Sequence, residues 1–477
     1  MSQLVWLRND LRLTDNPALY HAWQIGCQRK QPVRVIYCAT PNQWQKHNLS
    51  QAQLGLCQDL LRALQSELSA LNIALDIIEA PDYLNLPEKI LSYCLTHKVQ
   101  ALWLNKEVPF NKQQRDSEVI NTLLSNDIVS HCFDNDLLVN SPITTQSEAS
   151  YRVFTPWYRR WLATLLATDV KLLAAPNKAL DHPQSPSCSH TSDQQKTIAI
   201  GITGNYRSDL WPASETFARE RLTDFIENQQ PNNTFNYHQR RDYPAINGTS
   251  LLSAYIAVGA ISIRQCYLAI YRACSEQQQS IEENQWLKEL GWREFYRYLM
   301  LNNQGLSKGF AFNPHKEPKW LNNPQLLSAW QQGRTGFPII DAAMLQLNRT
   351  SWMHNRLRML TASFLCKLLL IDWREGETYF MAHLIDADFP SNNGGWQWSS
   401  ATGCDASPWF RIFNPTSQSK KFDSQGHFIR KMLPELSTLN DKDIHWPSDQ
   451  QRTALNYCSP IIDYATCRER ALKWHKR

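Results

Sequence analysis

The sequence predicts an α/β doubly wound parallel-sheet domain at the N-terminus and an all-α domain at the C-terminus. Three observations carry that prediction. Apolar strand-like runs alternate with helical periodicity over residues 1–130, the pattern of a parallel sheet with crossover helices. Beyond Trp211 the patterns are helical with short connections. The chain has 477 residues, too many for one hydrophobic core, so two or three domains are expected. The expected division is 1–130 for the α/β domain, 131–205 for an interdomain linker and 206–477 for the helical domain.

Leu4–Leu7 is a short apolar run and reads as the first strand. A polar turn follows, and Asp15-Asn16-Pro17 reads as a loop ending in a helix cap. Val33–Ala39 reads as a strand, Ser50–Leu71 as a helix, Ile73–Ile78 as a strand, Leu86–Thr96 as a helix and Ala101–Leu104 as a strand. No G-x-G-x-x-G follows the first strand, so the standard dinucleotide fingerprint is absent there. From Asn140 to Ser208 periodicity weakens, and the Pro/Ser-rich run Asp181–Thr191 reads as a surface linker. Helices are expected over Ala213–Asn228, Ser250–Val258, Ser262–Ser275, Glu282–Leu301, Pro338–Asn348, Met353–Leu369 and Glu375–His383.

The net charge of +5 is small, but its placement is informative. The basic excess falls within 206–477, which holds 31 basic and 26 acidic residues. A polyanion would therefore meet the helical domain. The 12 Cys contain no C-x-x-C and read as small buried residues of a reducing cytosol, with no metal site expected. The N-terminus carries Arg8, Asp10 and Arg12, unlike a signal peptide, and no apolar run is long enough to span a membrane. A cytoplasmic chain is expected.

Nine of the 18 Trp lie between Trp286 and Trp409. The segment Asp386–Arg411, DADFPSNNGGWQWSSATGCDASPWFR, is the densest site in the chain. A solvent-exposed loop would not hold Trp396, Trp398 and Trp409, since burying each is worth roughly several kcal/mol. A bland core helix would not carry Asp386, Asp388, Asn392 and Asn393, because buried polar groups need partners. Aromatic planes beside hydrogen-bonding groups suit a large planar polar cofactor.

Three further stretches carry chemistry. In Asn247-Gly-Thr-Ser-Leu-Leu-Ser253, Gly248 permits a turn, and Thr249 or Ser250 can cap a helix whose free N–H groups would meet phosphate. In WLKELGWREFYR, Trp286, Glu289 and Arg293 share a helix face, with Trp292 beside Glu289. Gly291 within that helix costs about 1 kcal/mol relative to Ala, and close packing would explain it. In WMHNRLRM, Asn355, Arg358 and Met359 share a face, and Arg358 is placed to pair with Asp386.

Together these motifs resemble the photolyase/cryptochrome family, and within it the bacterial class I cyclobutane pyrimidine dimer (CPD) photolyases, over nearly the whole chain. The resemblance implies an antenna domain followed by a helical domain that binds FAD, active as FADH⁻. Its FAD contacts would be Tyr237, Thr249, Ser250, Leu251, Leu252, Ser253, Trp286, Arg293, Asn355, Arg358, Asp386, Ala387, Asp388 and Asn392. Most members carry a basic residue where this chain has Leu251. The implied catalytic set is Glu289, Trp292, Asn355, Met359, Asn392 and Trp398, with Trp292 and Trp398 as aromatic walls of a pocket for a flipped dimer. DNA contacts would be Arg241, Glu289, Trp292, Arg293, Tyr296, Asn355, Arg356, Trp398 and Gln418. Trp396, Trp373 and Trp320 would relay electrons, Trp396 innermost and Trp320 outermost.

Family members that bind 5,10-methenyltetrahydrofolate often show Asn-Glu where this chain has Asn111-Lys112, which reverses one charge. The surrounding YCATPNQWQKHN still resembles folate-binding members, so a folate antenna is expected. The implied partner is UV-damaged DNA carrying pyrimidine dimers, met by a monomer with no obligatory protein partner. The alternative is a cryptochrome photoreceptor of the same fold. Plant cryptochromes place Asp, and insect ones Cys, where this chain has Asn392, and (6-4) photolyases place His at Met359. Those residues, Trp292 and the lack of a long C-terminal tail favour repair of the CPD type.

Overall fold

The structure, a computed structural model, describes residues 1–145, 147–177, 204–227 and 232–474. The expected linker at 181–191 lies outside the described residues.

Five strands form one sheet: β1 (Ser2–Leu7), β2 (Val33–Ala39), β3 (Ala74–Glu79), β4 (Val99–Asn105) and β5 (Val129–Phe133). All pairings are parallel, in the order β3-β2-β1-β4-β5. Every residue of the central β1 is buried. Its side chains alternate between two cores: Val5 and Leu7 pack with Leu61 and Val35, whereas Leu4 and Trp6 pack with Ile90 and Leu102. Such two-sided burial is why the run reads as continuously apolar.

Crossover helices Pro17–Arg29, Gln51–Ala70, Leu86–Thr96 and Phe110–Leu124 cover the sheet. Asn16 caps the first through Leu19 N at 3.2 Å, and Ser50 caps the second. β5 and the Phe110–Leu124 helix were not anticipated. The partly exposed VSHCF of β5 lies at a sheet edge, and Ser130 and His131 break its apolar run.

Strand order reverses between β1 and β4, and in such sheets ligand crevices open at the carboxyl ends beside that reversal. Here Asn105, ending β4, donates to Asp10 at 2.6 Å and to Asn16 at 2.8 Å, and the Arg8 guanidinium donates to the Asn105 carbonyl. The helical domain packs over this edge. Gln53 Nε2 donates to Ala387 O at 2.8 Å, Arg12 Nη1 to Gly259 O at 3.0 Å, and the Glu215 carboxylate accepts from Leu13 N and Thr14 N.

The expected helices of the second half are present with shifted ends: Glu215–Glu227, Ile263–Glu276, Gln285–Asn302, Pro338–Thr350 and Trp373–His383. The expected Met353–Leu369 helix is regular only over Asn355–Ser363 and continues as a π-helix over Phe364–Leu368. There the buried Lys367 ammonium donates to Pro408 O and Arg411 O, both at 3.1 Å, which fastens the end of the Trp-rich segment. Phe154–Leu166 and Phe389–Ser400 are helices that the sequence pattern did not disclose.

Candidate flavin and DNA site

The Trp-rich segment forms the Phe389–Ser400 helix. Asp388 caps it, accepting from Ser391 N at 3.2 Å, with Pro390 in the first turn. The Asp388 carboxylate also receives two bonds from Arg297, at 2.7 and 3.1 Å. Arg297 reaches on to Asp136 at 2.8 Å, and Arg293 pairs with the same Asp136. Burial would raise the Asp388 carboxyl, but the Arg297 charge and hydrogen bonds outweigh it and hold the group well below the usual carboxylate range.

Asp386, 7 % exposed, accepts from Arg358 at 2.8 and 3.0 Å, the expected pair. Arg358 is itself fixed by Nε donating to Met353 O at 2.8 Å. His354 starts this helix, its Nδ1 accepting from Arg356 N at 3.2 Å. Only a neutral ring can accept there, and burial pushes His354 down to about 4.

Asn392 Nδ2 donates to Glu377 O at 3.0 Å, which leaves Oδ1 as the free acceptor of that amide. Glu377 has no cation within ion-pair reach among the described residues; its Oε1 accepts from Asn393 Nδ2 at 2.7 Å. Burial pushes this carboxyl up to about 7, against the Asn393 bond and the Arg374 charge. Its neighbour Gly376 lies flat against the Trp396 ring, where any Cβ would collide.

Trp396 and Trp373 are 2 % and 0 % exposed and share one core, at whose edge the half-buried Trp320 packs. Trp373 Nε1 donates to Glu317 Oε1 at 3.2 Å, and the Arg374 guanidinium sits 4.5 Å from the Trp373 ring centroid. Trp320 Nε1 is enclosed without a partner, so the expected outermost Trp is less open than its place in the series implies. Trp330, which the sequence reading passed over, meets Trp396 edge-on at 6.1 Å.

Trp292 stacks on Phe154, centroids 3.6 Å apart and planes within 8°. Phe154 therefore covers one face of the indole. Gly291 explains itself here: a Cβ would lie 2.7 Å from the Tyr158 ring, one turn along the same helix as Phe154. Glu289 pairs with Arg241 and accepts from Gln285 Nε2 at 2.9 Å. Arg356 pairs with Asp242 at 2.6 Å and lies over Phe422. The Arg241 guanidinium lies 5.3 Å from the Tyr237 ring centroid. Trp398, Met359, Tyr296 and Gln418 are half-buried and Asn355 is exposed, so all five keep accessible surface. Trp286 is buried against Phe225.

The Asn247–Ser253 loop departs from the expectation of a helix beginning at Ser250. The helix starts at Ser253, and Leu252 precedes it with no side-chain cap. Neither Thr249 nor Ser250 caps it, because Leu251 turns through the left-handed region at φ 52 and separates both from the first turn. Ser250 Oγ accepts instead from Leu252 N at 3.4 Å. Thr249, Ser250 and Leu251 line a cavity of about 460 Å³.

A second cavity, about 530 Å³, lies at the sheet's reversal point between the domains. Asn111, Lys112, His47, Ala387 and Asp388 are on its wall. Lys112 Nζ donates to Glu107 at 2.7 Å, so the charge that Lys112 introduces is met within the wall. Burial would raise Glu107, but Lys112, Arg115 and Arg8 together hold it well below the usual carboxylate range.

Sequence reasoning missed Arg297, Asp136, Phe154 and Glu377. Arg297 stands four residues after Arg293 on one helix face, a usable signal. Phe154 lies where periodicity fades, Asp136 lies in the polar run just before it, and neither gives one.

A helical domain carrying this acid–arginine lattice is set against a parallel sheet, and comparison with known proteins gives its class, a flavin-binding one. The family model for the FAD binding domain of DNA photolyase matches residues 286–477, and the DNA photolyase model matches 3–179. The chain is 41% identical over 479 residues to the deoxyribodipyrimidine photo-lyase of Escherichia coli, covering 99% of this chain and 98% of that protein. It is 38% identical to the one from Vibrio cholerae, covering 99% of each. Among solved structures, a bacterial class III photolyase from Agrobacterium tumefaciens superposes with a TM-score of 0.86 at 32% identity, covering 100% of this chain and 97% of that one. A Synechocystis cryptochrome gives 0.82 at 25%, covering 99% of each. The chain belongs to the DNA photolyase family.

Proposed function

We propose that this chain repairs cyclobutane pyrimidine dimers in DNA, driven by light, with FAD as its cofactor. The observation that carries the reading is the ordered lattice around Asp386, Asp388 and Asn392, beside an indole with one stacked face, all in a chain with the family's full-length match. The lattice fits a flavin: Asn392 Oδ1 is a neutral acceptor aimed away from its own anchor, and the Arg358–Asp386 pair supplies a fixed dipole. Asp386, Asp388, Arg358 and Asn392 would hold the reduced flavin, which would supply a light-absorbing one-electron donor when bound.

In this reading the chain's own residues bind, orient and exclude water. Photolyases extrude their target from the duplex, and that step follows the general rule for the class. Trp292, backed by Phe154, offers its open face to the flipped bases, and Trp398 closes the other side. Glu289 hydrogen-bonds the bases, and Asn355 and Met359 complete the wall. Arg241, Arg356, Arg293, Tyr296 and Gln418 meet the strand. Asn392 accepts from a protonated ring nitrogen without adding charge. Trp396, Trp373 and Trp320 pass electrons inward when the cofactor must be reduced. The cavity at Asn111 and Lys112 takes a folate antenna. In this reading the chain acts as a monomer. Among the described residues no helix is long and apolar enough to cross a membrane.

Expression in a photolyase-deficient bacterial strain tests the reading. Survival after UV should rise in light and not in darkness; equal survival in both would favour the photoreceptor alternative.

A further inference from the structure

Arg221 lines the cavity that the Asn247–Ser253 loop walls, with the Asp224 charge acting on it from the rim. It projects from the Glu215–Glu227 helix, whose Ala218, Leu222 and Phe225 face the core. Phe217 and Phe225 lie one turn to either side, and the Arg221 guanidinium sits 5.1 Å from the Phe217 ring centroid. Stacking of that kind covers a face of the planar cation and leaves its edge donors to point elsewhere.

Among the described residues Arg221 forms no ion pair and no hydrogen bond. Glu220 and Asp224 also line the cavity, but both are exposed at its rim. A half-buried cation without a partner is unfavourable unless an anion joins it. Opposite it stand Thr249, Ser250 and Leu251, with Asn232 and Asn247 beside them. Asn232 Oδ1 is enclosed with no partner among the described residues, so this amide too lacks something it would bind. The loop itself, Asn-Gly-Thr-Ser-Leu-Leu-Ser, contains no cation. At its turn stands Leu251 with φ 52, a conformation that non-glycine residues adopt at a cost and that recurs at ligand clamps.

We propose that Arg221 is a cofactor-binding residue that neutralises the FAD diphosphate on the Thr249–Ser253 loop, supplying from a neighbouring helix the charge that the loop lacks. The proposal rests on the reading of that loop as the diphosphate site. It makes the cation's position a property of the Glu215–Glu227 helix, which packs against Ile263–Glu276 rather than against the Trp-rich helix.

The test is FAD release from the holoenzyme, followed by the fluorescence of freed flavin at several salt concentrations. A charge-assisted phosphate contact corresponds to about 10- to 100-fold in affinity, so Arg221→Gln should release FAD faster by that factor and flatten the salt dependence of release. Arg221→Lys should stay near wild type. Adding Leu251→Arg to Arg221→Gln should slow release again, because the new guanidinium enters the same cavity. Ser250→Ala separates the two claims. If Ser250→Ala releases FAD faster and Arg221→Gln does not, the proposal is overturned while the loop keeps its role. If neither variant changes release, the loop reading falls and the proposal with it. Faster release from Arg221→Gln with unchanged salt dependence would make Arg221 a packing residue and also overturn the proposal.

Discussion

Arg241 and Glu289 form a direct ion pair. A cation assigned to the DNA strand and a carboxylate assigned to the flipped bases thus neutralise one another before substrate arrives. Gln285 braces the carboxylate from the other side at 2.9 Å. Strand binding and base recognition are therefore coupled through one contact.

Arg241→Ala should weaken binding to any duplex and reduce the salt slope by about one. It should also leave Glu289 without its cation and change dimer recognition. A double-mutant cycle of Arg241→Ala and Glu289→Gln, titrated on dimer-containing DNA, should show a coupling of about 0.5–3 kcal/mol. Strict additivity would mean that the pair has no role in the complex.

Trp292→Ala removes the indole that Phe154 supports. Base–aromatic stacking is worth about 1–3 kcal/mol, so affinity for dimer-containing DNA should fall about 10- to 100-fold. Affinity for undamaged duplex should hardly change, because no base then enters the pocket. Equal losses on both duplexes would return Trp292 to an ordinary packing role with Phe154.

Trp320→Phe keeps the packing at the edge of the Trp373–Trp396 core and removes the outer donor. Oxidised flavin in this variant should fail to become reduced under blue light with external reductant. Chemically reduced variant should still repair dimers. A variant that photoreduces at the wild-type rate would place the end of the relay at another Trp, and Trp330, edge-on to Trp396, is the nearest choice.

Glu377 titrates near 7 in the folded chain, above the ordinary carboxyl range, because it is buried. The folded state then holds a proton that the unfolded state has released. Stability from this group is complete below the ordinary Glu pKa and declines as pH rises through about 7. One pKa unit is about 1.4 kcal/mol, so the change amounts to a few kcal/mol. Asn393, Arg374 and Asp372 are the polar and charged groups that act on it. Denaturant melts at pH 5 and pH 8 should show Glu377→Gln closer to, or above, wild-type stability at pH 8 than at pH 5. Parallel losses at both pH values would contradict the buried titration.

Much of the fold was legible because its signals are local. Val33–Ala39 and Leu86–Thr96 end where their patterns end, and Ser262 caps its helix with Gln265 as a capping box. The Arg358–Asp386 pair was expected from complementary charge together with the family resemblance, since no local spacing links residues 28 positions apart. The Phe389–Ser400 helix was not, because Gly394-Gly395 and three adjacent polar residues argue against a helix, although Asp388 and Pro390 mark its start. Arg297–Asp136 and Trp292–Phe154 each join residues more than 130 positions apart. Nothing local in Asp136 or Phe154 announces a partner at such separation. Leu251 shows the opposite limit: the loop's composition suggested a cap, and a single left-handed residue removed it.

The most direct measurement is repair of an oligonucleotide bearing one thymine dimer by the purified, flavin-loaded and reduced chain, followed by separation of repaired and unrepaired strands. The account predicts intact thymines after blue or near-UV illumination and none in darkness. Dimer that persists under light, in a preparation that binds both flavin and the damaged strand, would contradict it.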